Sequence, residues 1–71
     1  MTYEERERAL RSIAVNMLDL ETKFGQLMKL RDAGETPYEE RQNAASDMAS
    51  TLLALRTARA EYNRLLNEIH P

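Results

Sequence analysis

Few residues of this 71-residue chain have types that could do acid–base or metal chemistry. Glu4, Glu5 and Glu7 could supply paired carboxylates, and His70 is the only histidine. Glu68 stands two residues before His70, so the Glu-x-x-His spacing that brings two metal ligands to one helical face is missing. Arg8 and Arg11 are placed for i,i+4 ion pairs with Glu4 and Glu7, which is typical of a solvated first turn. We therefore expect no enzyme activity, no metal site and no cofactor.

Arginine is the other side chain in the sequence with binding chemistry to offer. Arg56, Arg59 and Arg64 are clustered in the second half of the chain. A symmetric oligomer would duplicate this cluster and could form a groove for phosphate groups. The net charge of −2, with both signs interspersed, and the lack of an aromatic stacking platform on the basic side count against this. An anionic ligand, either RNA or a small nucleotide, therefore stands as the alternative function.

Length and composition limit the architecture. A chain of 71 residues makes one domain at most. The chain has no cysteine, which excludes disulfides and is compatible with a cytoplasmic location. The sequence shows neither a transmembrane span nor the apolar core of a signal peptide, so we expect no membrane association.

The tetrapeptide Tyr-Glu-Glu-Arg occurs twice, after Thr2 and after Thr36-Pro37, and it predicts two helix starts. A threonine hydroxyl can accept a hydrogen bond from a free amide of the first turn. Glu5 and Glu39 follow the two threonines at the spacing of a capping box. Pro37 suits the first helical position, where its missing amide hydrogen costs nothing. Thr2 and Thr36 are therefore the predicted N-caps.

Lys29 and Arg31 occupy the last turn before Gly34, which suits a left-handed cap at the end of the first helix. The sequence thus predicts one helical-hairpin domain, with helix 1 over about 3–33, a loop over 34–36 and helix 2 over about 37–69. A loop this short makes the two helices antiparallel, each about 45–50 Å long. The predicted fold class is all-α.

Each helix carries an apolar row whose residues alternate at spacings of three and four. In helix 1 this row is Leu10, Ile13, Met17, Leu20, Phe24 and Leu27. In helix 2 it is Ala44, Met48, Thr51, Leu55, Ala58, Tyr62, Leu65 and Ile69. A second row lies beside each one, with Ala14, Leu18 and Met28 in helix 1 and Ala45, Ala49, Leu52 and Leu66 in helix 2.

These apolar arcs are wider than one helix pair can cover, and a two-helix chain encloses little core. We therefore expect a homodimeric four-helix bundle. A hairpin that docks onto a different protein is the second possibility, and a monomeric hairpin with residual apolar surface is the third.

Charged and amide side chains interrupt the apolar arcs. Arg59 points into the arc of helix 2, Arg56 and Asn63 flank it, and Glu21 interrupts the arc of helix 1. Such polar residues either lie along the surface with their heads in water, or fix register and partner choice at an interface. The predicted interaction residues are Arg56, Arg59, Asn63, Glu21, Leu52 and Leu66.

Counting levels along a hairpin separates Glu21 from Arg56 and Arg59 by about 12–17 Å, which is too far for a salt bridge within one chain. An antiparallel dimer would instead bring Glu21 of one chain towards Arg56 of the other. This reasoning predicts an acid–arginine contact between subunits.

The layout resembles that of the Rop-type RNA-binding hairpin dimers and of the small helical-hairpin chaperones of type III secretion needles. The likeness covers length, loop position and all-helical character, and it extends to no sequence motif. We expect a non-catalytic protein–protein interaction module that self-associates and binds a protein partner. It could be an adaptor, a chaperone, or an inhibitor of the kind encoded by phages and mobile elements; a purely structural oligomerisation element is a further possibility.

Overall fold

The structure is a computed structural model that describes residues 2–69, without the side chain of Ile69. Helix α1 spans Tyr3–Asp32 and helix α2 spans Tyr38–Ile69, and the two pack against each other. The Cα atoms extend over 52 × 14 × 13 Å. The prediction of an all-α helical hairpin is thus confirmed, while His70 lies outside the described residues.

Helix α1 begins as its sequence predicts. The Thr2 hydroxyl accepts a hydrogen bond from the Glu5 amide at 3.2 Å, and the Thr2 carbonyl accepts one from the Arg6 amide at 3.1 Å. Glu4 and Glu5 occupy the first turn, where the helix dipole favours negative charge. Thr2 is therefore the N-cap of α1.

Helix α2 begins one residue later than predicted. The Arg41 amide donates to the carbonyl of Pro37 at 3.0 Å, so Pro37 rather than Thr36 holds the capping position. The Thr36 amide donates instead to the Ala33 carbonyl at 3.2 Å and closes a β-turn. Within residues 2–69, the Thr36 hydroxyl makes no hydrogen bond to the helix. The predicted second capping box was wrong because loop closure uses Thr36.

Helix α1 also ends differently from the prediction. Its C-cap is Ala33, with extended backbone angles of φ −70° and ψ 119°. None of the described glycines has a positive φ, so the left-handed cap predicted at Gly34 was wrong. The chain leaves the helix through an extended residue and turns back at Ala33–Thr36, which needs no left-handed residue.

The first apolar row of each helix forms the contact between them. Leu10 of α1 is buried, and so are five residues of α2: Ala44, Met48, Thr51, Ala58 and Leu65. The Thr51 hydroxyl is satisfied because it donates to the Asp47 carbonyl at 2.7 Å. The other described residues of the predicted rows are half-buried: Ile13, Met17, Leu20, Phe24, Leu27, Leu55 and Tyr62. Two helices alone thus shield few side chains completely.

One side-chain bond ties the ends of the two helices together. The Nη1 of Arg6 donates to the backbone carbonyl of Glu68 at 2.7 Å. Carbonyls in the last turn of a helix lack partners within the helix, so this bond satisfies one of them. It also fixes the antiparallel alignment, since the start of α1 lies beside the end of α2.

Candidate interaction surface

The second apolar rows of the two helices lie on one side of the hairpin and remain uncovered. Leu18 is 62% exposed and Met28 38% on α1, while Leu52 is 41% and Leu66 37% on α2. On each helix, the second row is displaced around the helix axis from the first row, which contacts the other helix. The direction of this displacement, followed from the N-terminus to the C-terminus, is the same on both helices. In an antiparallel pair this places them on the same side, and we call this side the open face.

A shallow concavity crosses the open face near its centre. Its apolar lining is Met17 from α1 with Leu52 and Leu55 from α2, and its charged lining is Glu21, Arg56 and Arg59. All three charged side chains are exposed. The contact rows therefore supply the floor of this concavity, and the second rows supply its rim.

Glu21 shares the central concavity with the two arginines. All three side chains line it within one chain, and the predicted axial separation of about 12–17 Å between their levels stays a prediction. Axial counting measures the separation of Cα atoms and neglects the reach of long side chains. Even so, no salt bridge among the described residues involves any of these three side chains.

The remaining predicted interaction residues lie farther along α2. Asn63 and Leu66 are exposed, and neither lines the central concavity. Leu66 belongs to the open face near the end of the hairpin that lies away from the loop. The six residues thus form an elongated strip with its charged part in the middle, and their role in an interaction stays a prediction.

Arg64 does not belong to this strip. Its Nη1 lies 2.8 Å from Oε1 of Glu68 and its Nη2 lies 4.0 Å from Oε1 of Glu61, and all three side chains are about half-exposed. Arg64 therefore forms i,i+3 and i,i+4 pairs on a solvated surface of α2. Of the three arginines that the sequence predicted as a cluster, two, Arg56 and Arg59, lie on the open face. This weakens the argument for a phosphate-binding groove.

Two exposed tyrosines, which the sequence predicted only as parts of helix starts, lie on the surface of the hairpin. Tyr38 is 67% exposed and lines a shallow concavity at the loop end with Arg31, Arg41, Gln42 and Ala45. Tyr3 is 61% exposed, and its hydroxyl donates to Glu7 at 3.1 Å. The helical period places Tyr38 two heptads before Leu52, and this signal could have assigned it to the open face.

Within residues 2–69, the histidine, aspartate and glutamate side chains form no group of three or more that could hold a metal ion. Neither described helix has a stretch long and apolar enough to cross a membrane. No protein-family profile, curated protein or solved structure matches the chain.

Proposed function

We propose that the chain is a non-catalytic protein–protein interaction module that self-associates through the open face into a homodimeric four-helix bundle. The observation that carries this proposal is the row of exposed apolar side chains formed by Leu18, Met28, Leu52 and Leu66. Large apolar side chains exposed together on one side of a small protein are typical of an interaction site. A second hairpin has the right length and shape to cover it.

The energetics of the hairpin favour the same conclusion. Among the described residues, six are buried, and three of these are only alanine or threonine. For chains of this size, apolar burial barely offsets the conformational entropy of the chain. Covering the open face would add burial without ordering any further backbone. Assembly would therefore contribute a substantial part of the folding free energy.

We propose further that the assembled module binds a protein partner in the cytoplasm, as a small adaptor, chaperone or inhibitor. Amphipathic helices that present an apolar stripe suit helix-in-groove recognition. Tyr3, Val15 and Leu53 are exposed on α1 and α2 and would supply apolar contacts outside the strip of Leu52 and Leu66.

Self-association is tested by light scattering and by thermal melts over a range of micromolar concentrations. We expect the mass of a dimer and a melting temperature that rises with concentration, because assembly is linked to folding. A monodisperse monomer with a melting temperature independent of concentration would contradict the proposal.

The alternative function is binding of an anionic ligand, either RNA or a nucleotide, and one observation favours it. Arg56 and Arg59 lie side by side on the central concavity without a salt-bridge partner among the described residues. Glu21 on the same concavity and the net charge of −2 weaken the attraction for phosphate. Binding of a short RNA that falls steeply with added salt, and is lost when both arginines become methionine, would support this function.

A further inference from the structure

We infer that the open face receives a second copy of the chain turned end to end, with Leu52 of both copies at the two-fold axis. The inference rests on the proposed self-association and adds the arrangement of the two copies and the contacts that select it. In this arrangement α2 packs on α2 of the other copy and α1 packs on α1, each pair antiparallel.

The exposed residues of α2 are arranged symmetrically about Leu52. Tyr38 and Leu66 each lie fourteen residues from Leu52, which is two heptads, and all three belong to one stripe. A two-fold axis at Leu52 places Tyr38 of each copy against Leu66 of the other. These two side chains are 67% and 37% exposed in the single chain, so the reversed copy covers apolar surface at both ends of α2.

The same symmetry pairs large residues with small ones. Ala45 and Arg59 each lie seven residues from Leu52, and Ala49 and Arg56 lie three and four residues from it on opposite sides. A reversed copy therefore sets each arginine over an alanine of its partner. The alanines leave room for the arginine stems, and the stems cover the alanines.

A further polar pair follows from the same axis. Arg41 and Asn63 each lie eleven residues from Leu52 on opposite sides. The reversed copy brings the Arg41 guanidinium, which only donates hydrogen bonds, near the Asn63 amide oxygen, which accepts them. In the reversed dimer, Asn63 would therefore accept a hydrogen bond from the other copy.

Helix α1 agrees with this position of the axis. Met17 and Glu21 line the central concavity with Leu52, so the level of Leu52 falls between these two residues. A two-fold axis at that level sets Ala14 of one copy near Gly25 of the other. A Cβ built on Gly25 meets no atom within 4 Å in the single chain, so a neighbouring helix has room to approach there.

Charge complementarity favours a second copy over a foreign partner. Glu21, Arg56 and Arg59 are exposed and form no salt bridge within the described chain, so whatever covers them must supply opposite charges. A copy supplies both signs at once, since Arg56 of each chain lies about one helical turn from the level of Leu52, and Glu21 of the other chain lies near that level on the diagonally opposite helix. An uncompensated charge at such a site would be costly to cover.

A dimer with both loops at the same end would cover less of the exposed apolar surface with apolar side chains. It would pack α2 on α1 of the other copy, with Leu52 at the level of residues 18–21 of α1. Leu66 would then face the acidic start of α1, and Tyr38 would face the loop. The two apolar ends of α2 would remain without apolar partners, so the structure favours the reversed arrangement.

The chain contains no cysteine, so single-cysteine variants report the arrangement directly. Leu52→Cys should form a covalent dimer on mild oxidation or with a short bis-maleimide, because both thiols lie at the axis. Leu53→Cys is the matched control, since Leu53 is 64% exposed on the outer side of α2. We expect roughly tenfold or more cross-linked product from Leu52→Cys, because a thiol held within a dimer has a far higher effective concentration.

A mixed experiment gives an independent check. Tyr38→Cys and Leu66→Cys chains, mixed and refolded together, should form a cross-linked heterodimer that neither variant forms alone. If Leu52→Cys cross-links only when mixed with Glu21→Cys, the loops lie at the same end and the inference is overturned. Dimers by light scattering with no cross-link above the Leu53→Cys level would overturn it as well. A monomer by light scattering would instead contradict the proposed self-association itself.

Discussion

Leu52 and Leu53 are adjacent leucines of α2 that differ in the side of the helix they occupy, and truncating each to alanine isolates the open face. Leu52 is 41% exposed on the open face, and Leu53 is 64% exposed on the outer side. Both substitutions remove the same atoms and make the same change in helix propensity. A difference between the two variants therefore reports what covers the open face.

The expected magnitude follows from the exposed fraction of Leu52. Complete burial of a leucine side chain contributes about 1.5–3 kcal/mol, so covering the remaining 41% contributes about 0.6–1.2 kcal/mol per chain. A symmetric dimer contains this contact twice, which gives about 1–2.5 kcal/mol. Leu52→Ala should therefore raise the dimer Kd about 5- to 70-fold, whereas Leu53→Ala should change it less than about twofold.

Sedimentation equilibrium at several concentrations measures the two Kd values, and circular dichroism confirms that both variants keep their helices. Leu65→Ala serves as a folding control, because Leu65 is 2% exposed within the hairpin and its loss should cost about 2–5 kcal/mol whether or not the chain dimerises. Equal effects of Leu52→Ala and Leu53→Ala on the Kd would refute the assignment of the open face as the dimer surface.

Three further outcomes are expected. Thr2→Ala should lower the free energy of unfolding by about 1 kcal/mol, since it removes the hydroxyl that caps α1, whereas Thr36→Ala should cost less than about 0.5 kcal/mol in the same urea titration. Gly34→Ala should leave stability unchanged or raise it by up to about 1 kcal/mol, because the residue has a negative φ and open space around it; a loss above 1 kcal/mol would contradict this loop geometry. Replacing Arg56 and Arg59 together by methionine should weaken the dimer if they pair with Glu21 across the interface. An intact dimer that loses RNA or nucleotide binding would support the alternative function.

The apolar period was enough to predict the two helices and the row through which they touch. The helix starts after Thr2 and near Pro37 could also be predicted, because a hydroxyl side chain shortly before a pair of glutamates is typical of a helix N-terminus. The details of the loop could not be predicted from the sequence. The Thr36 amide donates to the Ala33 carbonyl and is therefore not free for a capping box, and the turn that this bond closes needs no left-handed Gly34. Local capping rules consider one helix end at a time, and they do not include the closure of the chain between two ends.

The relation of Glu21 to the arginines shows a different limit. Its side chain reaches the same concavity as Arg56 and Arg59, although a count of levels along the helices kept them apart. The sequence gives the direction of a side chain around the helix far better than its reach along the helix. For this reason the sequence predicted a strip of interaction residues but did not predict that Glu21, Arg56 and Arg59 line one concavity.

Side-chain size and charge determine which of the two apolar rows of α2 packs against α1. The row that faces α1 has a small residue every seventh position, at Ala44, Thr51 and Ala58, and these sites are 2%, 3% and 7% exposed because larger side chains of α1 cover them. The other row contains Arg56 and Arg59, whose guanidinium groups would have to leave water if that row faced α1. The arginines therefore keep their row at the surface of a single hairpin. Whatever covers this row later must leave the guanidinium groups in water or supply an acid to them, and in the proposed reversed dimer the acid near Arg56 is Glu21 of the second copy.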